Sequence, residues 1–261
     1  MYACFASKHS FILKDRLTCF GASVKLMKPQ ESSSFSPQQY QQLRKLVAHG
    51  EGLTLEFKRK ASFPEKIVRE MIAFANTKGG ILLVGIGDDG SIPGLKHPED
   101  ESHVLKLALK KCKPALVHAE TFIPVGNGRT VIQYEIPESK HKPHSLITDD
   151  RPETFVRVED KSIQASREMR EIVKRSQQKK DIRFHYGEHE KWLMQYLDSN
   201  DNITLKKFTE LSGLKKFYAS RKLVLLVLAD VLRITPHERG DLYSLAFRSQ
   251  ASGMVRGRNG L

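Results

Sequence analysis

Leu53-Thr54-Leu55-Glu56-Phe57-Lys58 alternates apolar and polar side chains without a break. A period of two predicts a half-buried strand, with Leu53, Leu55 and Phe57 on one face and Thr54, Glu56 and Lys58 on the other. Upstream, Ser36-Pro37 followed by Gln38 to His49 predicts a helix, capped by Ser36, opened by Pro37 and ended by Gly50. Downstream, Ser62 to Thr77 predicts a second helix, with Ser62 as cap, Pro64 in the first turn and an apolar stripe of Ile67, Met71, Phe74 and Ala75. Gly79-Gly80 stops that helix. Ile81 to Ile86 is wholly apolar, which predicts a strand buried on both faces.

The pattern continues outward in mixed order. Asp88 to Ser91 reads as a turn and Glu101 to Lys113 as a helix. Thr121 to Val125 and Thr130 to Ile136 read as a hairpin around Gly126-Asn127-Gly128. Thr154 to Val158 reads as a strand, and Ser166 to Ser176 as a helix running into the basic linker 177–180. Strands and helices so interspersed predict an α+β domain over 37–180, a mixed sheet with packed helices. After Asp181 helices dominate: Glu188 to Leu197, Leu205 to Leu211 capped by Thr204 and ended by Gly213, and Leu214 to Leu232. A small hairpin follows, with its turn at His237 to Asp241. Helix, short helix, turn, helix, hairpin is the order of a small winged helix-turn-helix domain, here over 181–247. Residues 1–36 read as a disordered segment or extension, with Met27 as an alternative start to Met1. Residues 248–261, with three Arg and no acid, read as a basic disordered tail.

At 261 residues the chain has room for one or two domains. Lys and Arg number 43 against 30 Asp and Glu, a net charge of +13. The excess is +3 over 1–36, +6 over 37–180 and +4 over 181–261, so no tail carries it alone. A diffuse basic surface suits a polyanion, and nucleic acid is the expected partner. Cys4, Cys19 and Cys112 cannot build a disulfide framework, which points to a reducing compartment and a cytoplasmic protein. The longest apolar run, Val224 to Ala229, falls far short of the roughly 18–20 residues a membrane span needs. No membrane partner is expected.

Three motifs bear on chemistry. Gly85-Ile86-Gly87-Asp88-Asp89-Gly90 fits the dinucleotide fingerprint by letter but not by context: two acids would repel a pyrophosphate, and Ser91-Ile92-Pro93-Gly94 cannot open the helix that should receive it. No Walker sequence is present. Glu56 and Lys58 share one face of their strand, as the carboxylate and lysine of many metal-dependent nucleases do; Glu51 and Asp88 are candidate second acids for Mg²⁺ or Mn²⁺. An ordinary surface ion pair accounts for the same spacing. Third, Lys215, Lys216, Tyr218, Ser220, Arg221 and Lys222 gather at the start of the long C-terminal helix, the end that enters a groove of DNA in a helix-turn-helix. Arg and Ser there could reach base edges and Lys phosphates, with Arg239 at the hairpin tip as a further contact.

Taken together, residues 51–58, Ile72-Ala73-Phe74-Ala75-Asn76-Thr77-Lys78-Gly79-Gly80, Val84 to Gly90 and Phe155-Val156-Arg157-Val158 resemble the Schlafen-type Alba-like domain, over about 45–175. The resemblance implies a DNA-binding protein or transcriptional regulator, since bacterial members often carry a winged helix. It also implies two other readings. Some animal members cleave tRNA or rRNA with three acids, which map here to Glu51, Glu56 and Asp88, with Asp89 as the other register. Some bacterial members carry an ATP-binding, "divergent AAA" description, which implies a nucleotide-binding regulatory module. The leading expectation is a regulator that binds nucleic acid, DNA before RNA, as a homodimer. The main alternative is a Mg²⁺- or Mn²⁺-dependent endoribonuclease acting on structured RNA through Glu51, Glu56, Lys58 and Asp88.

Overall fold

Ser36 accepts a hydrogen bond from the Gln39 amide, and with Pro37 at the first position this starts α1 (Pro37–Ala48) where a cap and a ring-locked φ favour it. The computed structural model describes residues 35–177 and 185–247. The expected extension up to residue 34, most of the linker and the basic tail lie outside the described residues.

β1 (Leu55–Lys58), α2 (Pro64–Asn76) and β2 (Gly80–Val84) follow α1. Then come α3 (Pro98–Leu109), β3 (Cys112–Lys113), β4 (Ala119–Gly126), β5 (Arg129–Ile136), β6 (Ser145–Thr148), β7 (Arg151–Val158), β8 (Lys161–Gln164) and α4 (Arg167–Arg175). One sheet has the order β1-β2-β5-β4; β1 and β2 are parallel and the other pairs antiparallel, so the sheet is mixed. A second, antiparallel sheet has the order β3-β6-β7-β8.

α2 lies between the two sheets. Ile67, Met71, Phe74 and Ala75 pack with Leu82 and Val84 of β2 and Ile132 and Tyr134 of β5. Val68, Ile72 and Ala73 pack with Leu146 of β6 and Phe155 of β7. A helix with sheets on two sides needs apolar side chains toward both; α2 is buried all round from Met71 to Asn76, while Glu65, Lys66, Arg69 and Glu70 keep a polar side on its first half. α1 covers the other face of the mixed sheet, where Leu43 and Val47 meet Leu55, Phe57 and Leu83.

The glycines after α2 serve this packing. A Cβ on Gly80 would lie 2.6 Å from the Phe74 ring. Gly79 has φ +75°, and a Cβ there would lie 2.7 Å from the Ile136 carbonyl oxygen. Asn76, buried at the end of α2, donates to the carbonyls of His144 and Phe155, both at 2.9 Å, and accepts from the His144 amide at 2.8 Å. The Asn-Thr-Lys-Gly-Gly segment thus joins α2 to both sheets.

Three expectations need correction. Ser62 does not cap α2; Phe63 stands at the N-cap and no side chain bonds the free amides. α3 opens at Pro98, three residues before the expected start, because Pro98 suits a first turn already rich in Glu99, Asp100 and Glu101. Glu56 does not face solvent: β1 is buried on both faces, and Glu56 is 6% exposed.

The remaining chain forms α5 (Glu188–Ser199), β9 (Ile203–Thr204), α6 (Leu205–Ser212), α7 (Lys216–Leu228), β10 (Leu232–Thr235) and β11 (Leu242–Leu245). Thr204 caps α6 by accepting from the Lys207 amide, and Gly213 at φ +67° ends it. α7 is shorter at both ends than its apolar run suggests. β9 joins the expected hairpin in a small sheet of order β10-β11-β9. Leu193, Leu197, Phe208, Ala219, Leu223, Leu226 and Tyr243 form a core separate from those of 35–177. α4 packs against α7, with Ser220 Oγ donating to Glu168 Oε1 at 2.6 Å.

Candidate functional site

Two places gather the residues singled out in the sequence. In the first, β1 sends its alternate side chains to opposite faces of the mixed sheet. Phe57 points toward α1. Glu56 points the other way, where Arg157 of β7 meets it. Arg157 is 3% exposed, and its side chain spans several elements. Nη2 donates to Glu56 Oε2 at 2.5 Å and to the Gly52 carbonyl at 2.9 Å; Nε reaches the same carbonyl at 3.1 Å. Nη1 donates to Glu70 Oε2 of α2 at 2.6 Å. The guanidinium lies 4.9 Å from the centre of the Phe74 ring. Lys58 Nζ pairs with the other Glu56 oxygen. Burial pushes the Glu70 carboxyl up from its usual range, the Ser162 hydroxyl opposes this, and Glu56 adds to it. Two acids and two bases therefore form one network, in which the charge of Glu56 is already matched.

Glu51 lies on the α1 side. Its Oε1 accepts from the Phe57 amide at 2.8 Å. Burial raises its carboxyl, the Phe57 amide counters that, and the charges of Glu56 and Asp88 add a smaller push upward. Glu51 and Asp88 line a cleft of about 510 Å³ with Arg44, Phe57, Asp89 and Ile92; Glu56 is not part of its wall. The Ser91 hydroxyl, and after it the Ser91 amide that donates to Asp89 Oδ1, hold the Asp89 carboxyl below the usual range and make an ordinary turn.

Among the described residues, no group of three or more His, Cys, Asp and Glu side chains is placed to hold a metal ion. The expected Mg²⁺ or Mn²⁺ centre of Glu51, Glu56 and Asp88 is not assembled. Glu56 is turned to the far face of the sheet and neutralised there by Arg157 and Lys58, and a ligand already sharing both oxygens with cations fits a divalent ion poorly. Nor does any helix follow Gly85 and Gly87 before Pro98, so these glycines do not aim a helix N-terminus at a phosphate.

The second place is the start of α7. Lys215, Lys216, Tyr218 and Arg221 are exposed. None of the three cations enters an ion pair among the described residues. Phe217, which the charge pattern of the sequence does not single out, stands exposed between Lys216 and Tyr218. Two expected members are already engaged. Ser220 donates to Glu168 of α4, and Lys222 pairs with the buried Glu190 of α5. Arg239 is exposed in the turn between β10 and β11.

Arg157 and Glu70 are likewise absent from the sequence-based candidates. An arginine inside the apolar run Phe155-Val156-Arg157-Val158 was the available signal, since a charge in a buried strand needs partners.

The mixed sheet, the helix enclosed by two sheets and the Asn-Thr-Lys-Gly-Gly junction define a class of α+β domain. Residues 51–166 match the family model described as Schlafen, AlbA_2, and this part of the chain is a Schlafen AlbA_2 domain. Two solved structures are similar to the chain. The DIP2311 protein from Corynebacterium diphtheriae is 19% identical with a TM-score of 0.38, over 54% of this chain and 28% of that one. The N-terminal domain of a RecG-related protein from Nitrosomonas europaea, named after the ATP-dependent DNA helicases, is 28% identical with a TM-score of 0.35, over 46% of this chain and 86% of that one. The matched part thus spans little more than a quarter of the Corynebacterium protein's length. No curated protein matches the chain. No helix among the described residues is long and apolar enough to cross a membrane.

Proposed function

We propose that the chain is a nucleic-acid-binding protein of the regulator type, with DNA as its favoured ligand. In this reading the C-terminal unit is a winged helix-turn-helix, α7 is the helix presented to the nucleic acid and the β10–β11 turn is the wing. One observation carries it: Lys215, Lys216 and Arg221 are exposed and free of ion pairs at the start of α7 among the described residues. Ion pairs hold only Lys58, Lys106, Lys111, Lys142 and Lys222 among the lysines of the described residues, so what sets Lys215 and Lys216 apart is their place beside Arg221 at one helix start. Cations left unmatched on a helix start have phosphate as their natural complement. A single such helix addresses one half-site, so a homodimer suits the reading; a monomeric mass on bound DNA would count against that part.

The test is titration of labelled DNA with the full chain at several salt concentrations. Binding should weaken steeply with salt. Replacing Lys215 and Lys216 together by Ala should flatten the log–log slope by roughly 0.9 for each phosphate no longer neutralised. No binding at low salt by folded protein, or an unchanged slope in the variant, would overturn the proposal. The buried, matched Glu56 favours binding over cleavage. Mg²⁺- or Mn²⁺-dependent cleavage of tRNA that disappears in Glu51→Gln would reverse that preference.

A further inference from the structure

The surface of α7 carries more than charge. Phe217 is 55% exposed and Tyr218 56% exposed, and they are the only sequence neighbours among the exposed large hydrophobic residues of the described chain. Their rings meet edge to face, with centroids 5.6 Å apart and an interplanar angle of 78°. Each ring leaves open surface to solvent. Neither is needed for the core behind them, which Ala219, Leu223 and Leu226 of the same helix supply. The flank carrying Ser220 is fastened to α4.

An exposed pair of aromatic rings calls for an apolar or aromatic cover. Lys215, Lys216 and Arg221 flank this pair in sequence, and none is in an ion pair among the described residues. A second copy of the same face would bring like charges together, so the charge selects a polyanion. An intact duplex offers the rings only its thymine methyl groups, an edge contact that leaves both ring faces uncovered. Unpaired bases offer a π-face to each ring and phosphates to the cations beside it.

We infer that α7 binds nucleic acid whose bases are unpaired, stacking them on Phe217 and Tyr218 while Lys215, Lys216 and Arg221 hold the backbone. This rests on the nucleic-acid reading above, names its ligand class, and puts opened bases in the place of the paired half-site there. The ligand is single-stranded or locally opened DNA, or an RNA loop of the same chemistry.

The experiment compares a fluorescein-labelled 20-nucleotide single strand with the blunt duplex of the same sequence, by anisotropy with the full chain. The single strand should bind at least about 10-fold tighter at matched salt. Tyr218→Ala should weaken single-strand binding by about 5- to 150-fold, the range for removing one stacking ring. Its salt slope should stay unchanged, because every phosphate keeps its cation. Tyr218→Phe should retain most of the affinity. Phe217→Ala should behave as Tyr218→Ala does, and circular dichroism would show that each variant keeps its helix. Equal binding to strand and duplex, with no effect of either alanine, would overturn this inference and leave the phosphate-based reading standing. Concentration-dependent self-association abolished by Phe217→Ala would assign the rings to a dimer interface and overturn it too. Failure of the wild type to bind either strand or duplex would remove the underlying proposal itself.

Discussion

Ser220 Oγ donates to Glu168 Oε1 across 2.6 Å, and this bond fastens the first half of α7 to α4. It takes Ser220 out of the group available to a ligand. Ser220→Ala should therefore leave nucleic-acid affinity within about twofold while lowering stability by about 1 kcal/mol, the usual net worth of such a bond. Arg221, one position on and exposed, should behave in the opposite way: Arg221→Ala should cut affinity and leave the urea midpoint in place. Equal losses of affinity in both variants would mean that Ser220 turns to the ligand after all.

Arg157 gives the sharpest stability test. Its side chain is fully buried and satisfies Glu56, Glu70 and the Gly52 carbonyl at once. Arg157→Met should cost about 3–5 kcal/mol, because it leaves the part-buried Glu70 without its cation, the buried Glu56 with Lys58 alone and the Gly52 carbonyl without its donor. Arg157→Lys should recover little of this, since one ammonium cannot supply a planar fork to three acceptors. Urea denaturation measures both. A loss below about 1 kcal/mol in Arg157→Met would show that the network is not holding β1, α2 and β7 together.

These relationships mark where the sequence is and is not legible. Ser36 and Thr204 are readable as caps, and Gly213 as a helix stop, because their effects stay within four residues. The β4–β5 hairpin is readable for the same reason. β3, β6 and β8 are not, being two to four residues long with too little alternation to register. The alternation around Glu56 points it to solvent because a period of two sorts side chains by side and not by depth. What buries it is Arg157, 101 residues further on. Likewise Ser220 and Lys222 have the spacing of DNA ligands, but Glu168 and Glu190, 52 and 32 residues away in sequence, occupy them in the fold.

Cys112 should be chemically silent in the folded protein. It is 2% exposed, and burial pushes its thiol up to about 11, only slightly opposed by Lys113. At pH 8 the thiolate fraction is then about one in a thousand. A variant with Cys4 and Cys19 replaced by Ser should react with a maleimide only in urea, and the native rate should report local opening around β3. Stoichiometric labelling within minutes in native buffer would contradict the burial.

Glu70 supplies the pH test. Burial raises its carboxyl above the unfolded value of 4.5, with Glu56 adding to the rise while Ser162 and Arg157 oppose it. A group raised in the folded state contributes stability that is fully present below its unfolded pKa and lost as pH rises through the folded one. Ionisation of Glu70 is therefore less favourable in the folded protein than in the unfolded one. Glu70→Gln keeps the size and an oxygen acceptor for Ser162 while removing the charge. It should unfold at an equal or higher urea midpoint than wild type at pH 7, and the advantage should shrink toward pH 4, where wild-type Glu70 is itself protonated. Arg157 retains Glu56 in this variant, so the network is not left with an unmatched cation. A variant less stable at pH 7 by more than about 1 kcal/mol would mean that the Glu70–Arg157 attraction outweighs burial, reversing the sign of the titration.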